Sequence, residues 1–128
     1  MHRMTAPSLR QSQILRGALD LCLLAVIAHG PTYGYEMTKR LAERGLTTVA
    51  EGSIYPALGR LQRDGLVETF RQASDGGPPR KYYRLSPAGA VALVEWRAEW
   101  EGTRSAIDRV LADIPQTPEV NIEVTREA

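Results

Sequence analysis

The sequence predicts a mainly α-helical chain with one small β-hairpin, and three observations carry that prediction. Apolar residues recur at helical spacing over three short stretches between Leu15 and Gly65. A Gly/Pro-rich tip then separates two strand-like runs between Leu66 and Leu85. A final stretch from Ser86 holds apolar residues in alternating steps of three and four as far as about Asp113. At 128 residues, with 43% hydrophobic and 24% charged, the chain is sized and composed as one folded domain, which excludes low-complexity and wholly disordered classes.

In the first element Leu15, Leu19, Cys22, Leu23, Val26 and Ile27 recur at helical spacing, and Asp20 is the only charge between Leu19 and Ala28. This reads as one helix buried on most sides, closed by His29, Gly30 and Pro31. Thr32 is placed to cap a second short helix, in which Met37 and Leu41 lie one above the other and which Gly45 ends. Ser53 is the expected N-cap of a third helix, with Pro56 tolerated inside its first turn and Gly65 stopping it. Ile54, Leu58 and Leu61 form its inner stripe, so Tyr55, Gly59, Gln62 and Arg63 share the outer face. Leu66 to Phe70 is the expected outgoing strand, Ala73 to Pro79 the tip and Lys81 to Leu85 the return. Ser86 caps the last helix, and Pro87 takes its favoured first position. Leu93, Trp96, Trp100, Thr103, Ile107, Val110 and Ile114 then trace a heptad seam that calls for a partner, which makes a homodimer the expectation, with Leu93, Trp96, Trp100, Ile107 and Val110 at its interface. The stretch after Pro115 is polar apart from Val120, Ile122 and Val124 and reads as a loosely held tail.

The formal net charge of +1 hides an asymmetry: residues 1–85 carry 12 Lys/Arg against 7 Asp/Glu, residues 86–128 only 4 against 8. The front of the chain is therefore suited to a negative partner and the rear to another task. Cys22 has no second cysteine to pair with, and His2 and His29 complete no zinc set, so neither a disulfide nor a metal is expected. The longest apolar run, Leu21 to Ala28, falls far short of the ~20 residues that cross a bilayer, so no membrane span is expected and the cytoplasm is the expected location. Two histidines assemble no Ser/His/Asp or Cys/His set and no glycine-rich loop cradles a phosphate, so neither catalysis nor a cofactor is expected.

Three short helices followed by a hairpin make a winged helix-turn-helix, whose third helix enters the major groove while the hairpin reaches a neighbouring backbone or minor groove. On this reading residues 9–85 form a DNA-binding domain, residues 86–114 a dimerisation helix and residues 115–128 the tail. The candidate contacts to double-stranded DNA are Tyr33, Tyr35, Ser53, Tyr55, Gly59, Arg63, Arg80 and Lys81. A winged helix that docks a protein instead of DNA is the alternative, and Arg80, Lys81 and an outward Tyr55 weigh against it.

Four segments also carry a family resemblance. Residues Gly30-Pro31-Thr32-Tyr33-Gly34-Tyr35-Glu36-Met37, Gly52-Ser53-Ile54-Tyr55-Pro56-Ala57-Leu58, Gly76-Gly77-Pro78-Pro79-Arg80-Lys81-Tyr82-Tyr83-Arg84-Leu85 and Ser86-Pro87-Ala88-Gly89 resemble the PadR-like transcriptional regulators. The resemblance runs from residue 15 to about 112. It implies a homodimeric repressor of the short subfamily on a palindromic operator, released by a small molecule or stress signal, with Ser53, Tyr55, Arg80 and Lys81 on DNA. It transfers no inducer site. Short members bind planar ligands between helix aromatics, so Trp96 and Trp100 are candidates for a small aromatic or cationic effector as well as for packing. Cys22 reads as an inert thiol inside its helix, and His29 as a helix-end residue.

Overall fold

The computed structural model describes residues 9–120. In chain order these form α1 Leu9–Arg16, α2 Leu19–Ile27, α3 Gly34–Glu43, α4 Glu51–Arg63, the antiparallel strands β1 Val67–Ser74 and β2 Gly77–Leu85, and α5 Pro87–Ala112. The architecture is the expected one, a winged helix-turn-helix followed by a long helix.

The core gathers around α2, which packs against α3, α4 and α5. Leu23, Leu24 and Ile27 of α2 meet Met37 of α3 and Ile54, Leu58 and Leu61 of α4, all buried. Each such side chain contributes roughly 1.5–3 kcal/mol relative to exposure. Val67 and Tyr83 carry the core into the hairpin, and Ala92 carries it into α5. At the ends of α3 and α4, Gly45 and Gly65 take positive φ of +100° and +76°. There the Leu46 and Leu66 amides reach back to the Leu41 and Leu61 carbonyls at 2.9 Å in each case, a closure that needs a residue without Cβ. At the start of α5, Ser86 is the expected cap: its hydroxyl accepts the Gly89 amide at 3.0 Å.

Several elements differ from their sequence readings. The helix expected from Leu15 to Ala28 is two, α1 and α2, with Gly17 and Ala18 between them. Gly17 interrupts the helical run, and a glycine inside a helix costs about 1 kcal/mol relative to alanine. Thr32 does not cap α3. It is fully buried and forms a two-way backbone bridge with Tyr83 (3.1 and 2.8 Å), while its hydroxyl donates to Glu36 Oε1 at 2.6 Å. The N-cap is Tyr33, with extended backbone and no side-chain cap bond. Ser53 does not cap α4 either: the helix begins two residues earlier behind Ala50, whose carbonyl accepts the Ser53 hydroxyl at 2.8 Å. Pro56 consequently lies in the second turn, where it has no N–H for the Gly52 carbonyl. Pairing continues to Ser74 and resumes at Gly77, so the tip is narrower than expected, with an irregularity between Gln72 and Ser74. Of the expected tail, Ile122 and Val124 lie outside the described residues, and Val120 is exposed.

Candidate nucleic-acid interface

The buried face of α4 fixes its outer face. With Ile54, Ala57, Leu58 and Leu61 turned into the core, Glu51, Ser53, Tyr55 and Arg63 are exposed. The Tyr55 hydroxyl donates to Glu51 Oε2 at 3.0 Å, one turn back. Its ring lies over the first residue of α3, where a Cβ on Gly34 would collide with the Tyr55 hydroxyl. Partial burial, then the Glu51 hydrogen bond and charge, push the Tyr55 phenol above its ordinary pKa, so it remains a neutral donor at physiological pH. Arg63 folds back over Gly59, which is partly covered.

The wing joins this surface through Tyr33. The Arg80 guanidinium sits 4.5 Å from the Tyr33 ring centroid, and Tyr33 packs on Tyr82 at 5.2 Å. A continuous path therefore runs from Glu51 through Tyr55, Gly34 and Tyr33 to Arg80, tying α4, the start of α3 and the wing together. Tyr35, just beyond, is 59% exposed.

Arg80 and Lys81 do not act from one side of the hairpin. Arg80 pairs with Gln72 and shares a face with Tyr82, whereas Lys81 pairs with Arg71 on the face of Tyr83. Lys81 Nζ sits 5.6 Å from the Tyr83 ring centroid. Among the described residues neither Arg71 nor Lys81 forms an ion pair, while Arg84 is neutralised by Glu68 at 3.1 Å and Arg60 by Asp20 at 3.0 Å. Like charges directly opposite on two strands destabilise a hairpin, and an anion between them removes that penalty. Burial pushes the Tyr83 phenol up, opposed by the Arg71 charge. Sequence reasoning missed Arg71 and Glu51: strand register reveals the first, and the true start of α4 the second.

On α5 the predicted stripe divides. Leu93 and Trp96 are half-buried and pack against the core of the same chain, whereas Trp100, Ile107 and Val110 are exposed. Trp96 and Trp100 line a groove of about 660 Å³ with Ile14, Gly17 and Leu21, and Arg16, Asp20, Arg60 and Glu99 are its charged lining residues. A second groove, about 650 Å³, lies between α2 and α3 and is lined by Cys22, Val26, His29, Leu41 and Arg44 among others. Cys22 is only half-buried, and that burial pushes its thiol pKa up. Among the described residues no group of three His, Cys, Asp or Glu is placed to hold a metal ion, and no helix is long and apolar enough to cross a membrane.

Comparison with known proteins gives the family. Residues 23–95 match the transcriptional regulator PadR-like family. A transcriptional regulator of Mycobacterium tuberculosis is 37% identical over 86 residues, covering 67% of this chain and 78% of that one. The crystal structure of a PadR-like transcriptional regulator from Bacillus cereus is similar with a TM-score of 0.70 at 39% identity, over 77% of this chain and 96% of that chain. A PadR family regulator from Eggerthella lenta is similar with a TM-score of 0.71 at 30% identity, over 80% and 88% of the two chains.

Proposed function

Because the chain belongs to the PadR-like family of transcriptional regulators, we propose that it is a sequence-specific DNA-binding repressor that acts as a homodimer on a pseudopalindromic operator. The observation that carries this reading is the path from Glu51 to Arg80, which makes the outer face of α4 and the basic wing one surface. On it α4 enters the major groove, Ser53, Tyr55 and Arg63 approach base edges and neighbouring phosphates, and Tyr33, Tyr35, Arg80, Lys81 and Arg71 hold the flanking backbone. Residues 9–85 are then the DNA-binding domain, and α5 supplies dimerisation through Trp100, Ile107 and Val110. Release is assigned to a small planar or cationic molecule in the groove beside Trp96 and Trp100, where indole stacking and the Glu99 carboxylate favour such chemistry, Asp20 being paired with Arg60. The repressor works in the cytoplasm, where the operator is.

The test is enrichment from a random duplex library followed by mobility-shift titration of the enriched site at several salt concentrations. The expected result is a two-fold symmetric site with half-sites about 34–36 Å apart or a multiple of that spacing. Log affinity falls against log salt with a slope of about −0.9 per phosphate contact. Failure to enrich any sequence, with no salt-dependent binding, overturns the reading.

A further inference from the structure

The first turn of α4 carries an acidic side chain on the surface that the DNA-binding reading turns toward phosphates. Glu51 is exposed and is the acidic residue of that turn. Among the described residues it takes part in no ion pair. Its one polar side-chain partner among the described residues is the Tyr55 hydroxyl at 3.0 Å, and the Tyr55 ring is itself seated against Gly34. The carboxylate is therefore held by one hydrogen bond, from a phenol whose own ring is seated against α3.

A carboxylate there is repelled by the phosphates of a bound duplex. It gains from binding only by accepting a hydrogen bond from a base. Residues at the N-terminal end of a recognition helix are those that reach base edges. In the major groove the exposed amino donors are cytosine N4 and adenine N6. Adenine sets its donor beside the N7 acceptor, which suits an amide and repels a carboxylate, whereas cytosine presents the donor alone.

We propose that Glu51 is a specificity-determining residue that accepts a hydrogen bond from a cytosine N4 amino group in each half-site, and that Tyr55 is the residue that positions it. This rests on the DNA-binding reading of α4 given above. Glu51 also complements the positive end of the helix dipole, so its contribution to stability must be read apart from its contribution to base choice.

The experiment is enrichment of one random duplex library by the full-length wild type, Glu51→Gln and Tyr55→Phe in parallel, with thermal unfolding of all three. Wild type is expected to return a half-site with one cytosine favoured about tenfold or more over other bases. Glu51→Gln loses that cytosine and drifts toward adenine, with every other position unchanged. Tyr55→Phe keeps the cytosine but discriminates several-fold less at that position, while any change at other positions reports contacts of the Tyr55 hydroxyl itself. If wild type enriches a site and Glu51→Gln retains the same cytosine preference, the inference fails while DNA binding stands, and a lowered Tm in that variant marks a purely structural carboxylate. If wild type enriches nothing, the DNA-binding reading falls and this inference falls with it.

Discussion

The Ser86 hydroxyl donates to the Gly65 carbonyl at 2.5 Å and accepts the Gly89 amide at 3.0 Å, so one side chain caps α5 and secures the end of α4. The Ser86 amide adds a bond to the Leu66 carbonyl at 3.1 Å. Gly89 completes the contact, because a Cβ there would overlap the Leu66 carbonyl, a backbone group that has no rotamer to escape into. Gly89→Ala is expected to destabilise the chain by about 1–3 kcal/mol. At this length that lowers Tm by roughly 3–6 °C per kcal/mol in calorimetry. Tyr83 gives a residue-scale prediction of a different kind. It is 4% exposed, and burial raises its phenol pKa above the unfolded value. A raised folded pKa means that the native state holds the proton longer, so this contribution is complete below about pH 10 and is lost as pH rises through the folded value. Urea midpoints are expected to stay level from pH 7 to about 9 and to fall above about 10, and the fall is expected to be shallower in Tyr83→Phe. An identical alkaline slope in the two proteins would show that the phenol is not responsible. Ser86 was legible in the sequence because Ser-Pro is a local signal for a helix start. Ser53 misled for the same reason: its hydroxyl is the right chemistry, but Ala50 holds the extended backbone from which α4 begins. Residue type announces a cap, and only the backbone decides where it falls.

The wing is where pairing decides function at the scale of an element. Its register sets Arg71 opposite Lys81 and Gln72 opposite Arg80, which divides the basic residues between two faces. Removing one member of the Arg71 and Lys81 pair relieves repulsion in the free protein and, on the proposed DNA-binding surface, removes a partner for phosphate. Arg71→Thr is expected to leave stability unchanged or raise it by about 0.2–1 kcal/mol. The same variant is expected to weaken DNA binding across sequences and to reduce the salt slope by about 0.9. Chemical denaturation and a mobility-shift series at varied salt check the two effects, and a variant that binds with an unchanged slope removes Arg71 from the interface. The hairpin itself was legible from two strand-like runs and the Gly/Pro cluster between them. Its register was not, because the irregularity after Gln72 depends on both strands at once. Thr32 belongs to the same class of omission. A buried threonine that pairs with Tyr83, about fifty residues away, cannot be told from a helix cap by its neighbours in the chain. The break at Gly17 had a visible sign, a glycine inside an apolar stripe, which the continuity of that stripe obscured.

At the scale of the whole molecule the chain has an unfinished side. Trp100 is 41% exposed, Ile107 51% and Val110 70%, all on one helix whose first turns are already committed to the core. Burying each against a second copy is worth up to roughly 1.5–3 kcal/mol. Ile107→Asp together with Val110→Asp is expected to convert the proposed dimer to monomer in sedimentation and to lower operator affinity, since each half-site must then be bound alone. A folded wild-type monomer at micromolar concentration would refute the dimer. The seam of α5 was legible as a helical repeat, but the residues it spends within its own chain were not, because Leu93 and Trp96 differ from Trp100 only in where α2 happens to lie. The junction of α4 with α5 has a mechanical consequence. Clamped by Ser86 and Gly89 against Gly65 and Leu66, it is a fulcrum with no slack, and α5, at 26 residues, is a stiff arm about 39 Å long. On such an arm a tilt of roughly 5° at the fulcrum sweeps the far end through about 3 Å. Worked in reverse, the gearing turns a coarse shove at the tip into a fine rotation of α4.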